Sequence, residues 1–178
     1  MNSDNFELLE SVETNELVRR YKKSFNVDVS RFFTSLNTLE YRTDVESGIR
    51  YFYPPISGDE LFYEQLQQHD WYYQKDKSEY EFAGGYTDSK NVLEIGCGEA
   101  WFHKYSNAGS YTGLEFNAKA VEKSLAKGVN VVKQSVEEHC RGLEDLYDVV
   151  CSFQVLEHVA DPLTFIGAAI ECLSPNGA

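Results

Sequence analysis

Two features of this sequence combine residue types and spacing suited to chemistry: the turn Gly96-Cys97-Gly98 and the acid Glu115. The turn stands where a short β-branched run gives way to a helical stretch. Gly96 lets the chain reverse tightly, and Gly98 removes a β-carbon so that a ligand can lie against the main chain. The helix that follows presents unpaired N–H groups to a carboxylate or phosphate. The same glycine pattern also occurs in ordinary strand–helix turns. Glu115 closes the next expected strand, 17 positions beyond Gly98, where a carboxylate accepts both hydrogen bonds of a ribose diol. The plain alternative is a surface glutamate, in a chain with 29 acidic residues. Strand, glycine turn, helix, strand and terminal acid in one run are far less common than either part. Trp101 holds the position where a nicotinamide or flavin fingerprint needs its third glycine, which argues against a dehydrogenase.

Composition narrows the partners. In 178 residues, 16 basic against 29 acidic side chains leave a net charge of -13. Such a surface repels phosphate backbones, and no Lys/Arg cluster interrupts it, so no nucleic-acid partner is expected. No apolar run is long enough to span a bilayer, and Met1-Asn2-Ser3-Asp4 lacks the basic and apolar parts of a signal peptide. Cys97, Cys140, Cys151 and Cys172 are scattered, without CxxC spacing. Reduced thiols in a cytoplasmic protein are therefore expected, and no metal site.

The elements that must position the turn and the acid fall in the second half. The chain is expected to divide near residue 88, into an irregular aromatic-rich part (1–88) and a part with parallel-sheet alternation (89–178). Upstream, a helix is expected from about Phe6 to Phe25. Two strands, Arg31 to Tyr41 and Ile49 to Tyr53, flank a turn at 44–48, and helices follow, one begun by Ser57-Gly58-Asp59-Glu60 and running to about His69, the other at 77–83. Downstream, strands are expected at Asn91 to Ile95, Ser110 to Glu115, Val129 to Lys133 and Tyr147 to Phe153. A short helix covers Glu99 to Ser106, and Asn117 caps another through Lys127. Asp161-Pro162 opens the last, with Leu163, Ile166, Ile170 and Leu173 as its apolar face.

Val92-Leu93-Glu94-Ile95-Gly96-Cys97-Gly98 resembles motif I of class I S-adenosylmethionine-dependent methyltransferases. The run Tyr147 to Val159, with Phe153-Gln154-Val155-Leu156-Glu157-His158, resembles the fourth-strand motif of the same superfamily, in its small-molecule branch. Leu173-Ser174-Pro175-Asn176-Gly177 is similar to the turn that leads to its fifth strand. The resemblance implies an α/β Rossmann-like, doubly wound parallel sheet behind an N-terminal helical and β-hairpin extension, and S-adenosylmethionine as cofactor. It implies that Glu94, Gly96, Cys97 and Gly98 lie at the methionine end, Glu115 on the ribose and Phe116 near the adenine. Ser135 and Val136 follow the third strand, where the family places an acid; Gln134 departs from that pattern. Ala100 stands for a common third glycine. Phe153 and Gln154 would face the transferred methyl.

Methyl transfer is a displacement that needs positioning above all, with a general base only for some acceptors. His158 is the histidine nearest these motifs, and its side chain suits either a base or structural hydrogen bonds. Tyr72, Tyr73 and Tyr80 would form a lid over the cofactor or pack the preceding segment. No Asn/Asp-Pro-Pro-Tyr follows the fourth strand, which with the acidic charge favours a small-molecule acceptor. Only four of seven family strands are legible, so a fragment is expected, its fourth strand covered by a second copy, as a homodimer, or by the N-terminal segment. A module that binds the cofactor without catalysis is the alternative.

Overall fold

The computed structural model describes residues 5–69, 72, 74–143 and 145–178. The chain divides into two units, Met1–Gln68 and His69–Ala178.

The first unit is built on an antiparallel sheet in the order β1-β2-β3, from β1 (Phe6–Glu13), β2 (Thr38–Asp44) and β3 (Arg50–Tyr53). The helix expected from residue 6 begins only at Thr14, as α1 (Thr14–Phe25). Leu8, Leu9 and Val12 fit a helical stripe, but Phe6–Glu13 pairs along β2 instead, with a bulge between Leu8 and Glu10. The Thr14 hydroxyl, buried at that junction, donates to the Leu36 carbonyl at 2.6 Å and anchors the helix start. The strand expected at Arg31 starts seven residues late, because Ser30–Phe33 forms a 3-10 turn. The hairpin turn is as expected: the Gly48 N–H donates to the Asp44 carbonyl at 2.9 Å, with Gly48 at φ 72°. α2 (Glu60–Leu66) follows, capped by the Asp59 carboxylate, which accepts the Phe62 N–H.

The second unit is an α/β sheet of four parallel strands: β4 (Asn91–Ile95), β5 (Ser110–Leu114), β6 (Val131–Val132) and β7 (Val149–Ser152), in the order β6-β5-β4-β7. Alternation along β4 sends Val92 to one core, with Phe102, Tyr111, Val131 and Val149. Leu93 and Ile95 enter the other, with Leu114, Val136, Phe165 and Cys172. α3 (Ser78–Gly84) delivers Tyr80 to the first core. Asn117 caps α4 (Ala118–Ala126) as expected. α5 (Val136–Arg141), where no helix is expected from the sequence, supports the second core. α6 (Pro162–Glu171) starts at the Asp161 cap. Its buried face is Phe165, Ala168 and Cys172, whereas Leu163, Ile166 and Ile170 of the expected face are exposed. Both faces of this helix are apolar, so periodicity did not choose between them, and the aromatic ring took the core.

β7 is an edge strand, yet part of its edge is paired. The Val150 N–H donates to the Ala178 carbonyl at 2.8 Å, and the Ala178 N–H donates to the Asp148 carbonyl at 2.9 Å. At Asp148 and Val150 the chain's own last residue lies along the edge for which a second copy or the N-terminal segment is expected. Among the described residues, no helix is long and apolar enough to cross a membrane.

Candidate functional site

The chain leaves β4 at Ile95 and doubles back over the end of β5. The N–H groups of Gly96 and Cys97 both donate to the Leu114 carbonyl, at 2.8 and 2.9 Å. Gly96 has φ 72°, and a β-carbon there would lie 2.4 Å from Val155 Cγ2. Conformation and space thus both demand glycine. Ala100 takes φ 55°, a left-handed value that strains any residue with a β-carbon. The Cys97 side chain turns into the sheet, where Gly113 makes room: a β-carbon on Gly113 would sit 2.5 Å from Cys97 Sγ. Burial holds that thiol protonated, so Cys97 offers a ligand its backbone alone.

Glu115 joins the two turns. Its carboxylate accepts the Gly98 N–H at 2.8 Å through one oxygen and the Asn117 N–H at 2.8 Å through the other. Desolvation raises its pKa against those backbone hydrogen bonds, which lower it. Each oxygen keeps a lone pair beyond these contacts. Beside it, Phe116 presents an exposed flat ring. Glu99, in the same loop, pairs with Lys123 at 2.6 Å and Lys127 at 3.4 Å.

Glu94 lies two residues before Gly96, on the Val92 side of β4, and is 1% exposed. The Tyr111 hydroxyl of β5 donates to it. Burial pushes the Glu94 carboxyl up to about 8, countered by the Tyr111 hydrogen bond and the charge of Lys77. Tyr111 and Lys77 were not singled out from sequence. The pairing of Val92 with Tyr111 and Glu94 with Gly113 puts the tyrosine diagonally across from the acid, a relation visible only once register is known.

At the end of β7, Phe153 packs its ring against Tyr80 and Phe102, each at 4.9 Å between centroids. Gln154 is exposed with φ 59°, and its side chain bonds to Glu79 on α3. His158 is exposed in the 3-10 turn Leu156–His158, its N–H donating to the Val155 carbonyl at 2.8 Å. After β6, the Ser135 hydroxyl accepts the Glu138 N–H at 3.0 Å, and the Glu138 carboxylate accepts the Ser135 N–H at 3.2 Å. This capping box is legible as Ser-x-x-Glu in the sequence. Val136 is 2% exposed and belongs to the core, which leaves its main chain for any ligand. Gln134 is turned to His139 Nδ1, at 3.2 Å. Tyr80 is buried packing rather than an open lid residue. Tyr73 and Trp71 lie outside the described residues.

Gly96, Gly98, Glu94, Glu115, Phe116, Ser135 and Gln154 therefore come from the carboxyl ends of all four parallel strands, where open α/β sheets bind ligands. Glu115 decides between ligand classes: a carboxylate with acceptor capacity left over suits a ribose diol and is hostile to a pyrophosphate, while Glu99 is already paired with Lys123 and Lys127. S-adenosylmethionine, with a ribose diol, an adenine and a sulfonium, fits these residues.

Comparisons with known proteins agree. The ubiquinone biosynthesis O-methyltransferase of Serratia proteamaculans is 34% identical over 103 residues, covering 53% of this chain and 42% of that protein. The same-named enzyme of Cronobacter sakazakii is 38% identical over 108 residues, covering 54% of this chain and 43% of that protein. The chain thus spans less than half the length of these relatives. The S-adenosylmethionine-dependent methyltransferase of Thiobacillus denitrificans, solved with S-adenosyl-L-homocysteine, shares the fold: TM-score 0.50, 14% identity, 68% of this chain and 54% of that one. A family model described as a methyltransferase domain matches residues 65–178, well over half of the sequence, and the chain belongs to that family.

Proposed function

We propose that this chain binds S-adenosylmethionine in the crevice above β4, β5 and β7 and transfers its methyl group to a small-molecule acceptor. The observation that carries the reading is the Glu115 carboxylate, fixed by the Gly98 and Asn117 N–H groups with acceptor capacity left for a ribose diol. In this reading Glu115 accepts the ribose hydroxyls and Phe116 covers the adenine. Gly96, the Cys97 main chain and Gly98 support the methionine portion. Ser135 and the Val136 main chain border the adenine edge. Gln154 and Phe153 close the methyl end.

The cofactor supplies an activated methyl on a cationic sulfur. The acceptor's lone pair forms the new bond to carbon as the carbon–sulfur bond breaks, and the acceptor's proton goes to solvent or to a base. His158, exposed after β7, is the candidate for that base. The curated relatives are named as O-methyltransferases, which makes a phenolic hydroxyl the first acceptor class to try. The acidic surface agrees with a cytoplasmic enzyme that handles neither nucleic acid nor membrane.

The test is incubation with methyl-labelled S-adenosylmethionine and a panel of phenols and catechols. Label in an acceptor, reduced at least tenfold in Glu115→Ala, is the expected result. Tight binding of reduced nicotinamide, with none of S-adenosylmethionine, would overturn the reading.

A further inference from the structure

We propose that Glu94 is a proton-coupled counter-charge: neutral in the free protein, it gives its proton to solvent as the positively charged cofactor docks. The inference rests on the reading of the crevice as an S-adenosylmethionine site. Its structural basis is the company Glu94 keeps. The carboxyl is buried, and its hydrogen-bond donor is the neutral Tyr111 hydroxyl of β5. The other groups whose charge it feels are Cys97 of the loop, Cys151 of β7, Tyr80 of α3, Glu115 after β5, and Lys77 ahead of α3. Cys97, Cys151 and Tyr80 are held neutral by burial, and Glu115 repels a second negative charge. Lys77 is the one cation in that set, and its Nζ is drawn to the face of Tyr80, 5.4 Å from the ring centroid.

A carboxylate buried beside a phenol and a second acid is costly, and such groups neutralise instead. S-adenosylmethionine changes that balance. Its sulfonium and ammonium outweigh its single carboxylate by one positive charge, and the glycine turn of the proposed site begins two residues after Glu94. Docking a cation there favours the ionised carboxyl, so the proton leaves to water and no other bond changes. S-adenosylhomocysteine, which lacks the sulfonium charge, drives the same release less far.

Calorimetric titration at pH 7 in two buffers of different ionisation enthalpy counts the protons. The expected result is net release with S-adenosylmethionine, less with S-adenosylhomocysteine, and none attributable to this site in Glu94→Gln. Affinity for S-adenosylmethionine should rise by up to about tenfold per pH unit between roughly pH 6 and 8, then level off. Difference infrared spectra give a reading on the free protein: a carboxylic-acid carbonyl band at pH 7, absent from Glu94→Gln. Tyr111→Phe should shift that band and move the proton release to higher pH, which keeps the test valid if Glu94→Gln folds poorly. Tight binding without proton exchange, or a free protein without the band, overturns the inference while leaving the cofactor reading intact. Failure of both ligands to bind overturns that reading and the coupling with it, and the infrared band then separates a neutral Glu94 from an ionised one.

Discussion

Each unit buries an ionisable side chain in a sheet, and the two are treated in opposite ways. In the first unit Arg42 is 8% exposed and fully provided for. Its guanidinium donates to Glu40 at 2.6 and 2.7 Å and lies between the rings of Phe6 and Tyr53, at 3.6 and 3.9 Å from their centroids. Salt bridge, hydrogen bond and cation–π contact all come from within the same sheet. In the second unit Glu94 is more deeply buried, and its hydrogen-bond donor is a phenol. Glu115 is similar, held by two backbone N–H groups with lone pairs to spare. Where a buried charge is saturated by its own fold, it serves the scaffold. Where its partners stop short, it keeps acceptor capacity for a ligand, and the proposed site rests on that difference.

The comparison can be broken at several points. Gly96→Ala should have the largest effect, because it adds strain at φ 72° to a clash with Val155. A loss of about 3 kcal/mol is expected in urea unfolding of the whole chain, with cofactor binding abolished. Glu115→Ala should cost about 2–3 kcal/mol of cofactor affinity, as expected for hydrogen bonds to a charged group, with a much smaller change in stability.

Arg42→Met should cost about 2 kcal/mol, read as faster amide exchange in β1, β2 and β3, because Glu40 loses its partner. The pH dependence sharpens the contrast. Glu94 holds its proton up to about pH 8 in the folded protein, against an ordinary value near 4.5. The folded state therefore binds more protons than the unfolded one across that window, and stability conferred by neutral Glu94 is lost as pH rises through it. Thermal melts from pH 5 to 8 should show a steeper decline for the native protein than for Glu94→Gln. The smallest effect belongs to Ala100→Gly, which should stabilise by about 0.5 kcal/mol through relief of φ 55°.

The chemistry-bearing half was more legible than the rest. Gly96, Gly98 and Glu115 stand where strand–turn–strand spacing placed them, since a parallel βαβ unit ties that spacing to geometry. Four strands and the caps Asn117 and Asp161 were readable for the same local reasons. The first unit was harder. Phe6–Glu13 carries a pattern that fits helix or strand, and pairing with β2, distant in sequence, decided for strand. The Tyr111–Glu94 contact and the packing of Val155 on Gly96 depend on register and on a turn from another strand, which no local pattern encodes. Gln154 and Ala100 hold positive φ without being glycine, so composition gave no sign of those backbone conformations.

The most direct test of the central claim is calorimetric titration of S-adenosylhomocysteine into the native chain and into Glu115→Ala. Saturable binding at one site, weakened about a hundredfold by the substitution in a protein that still folds, is the predicted result. Binding that ignores the loss of Glu115 would contradict the account.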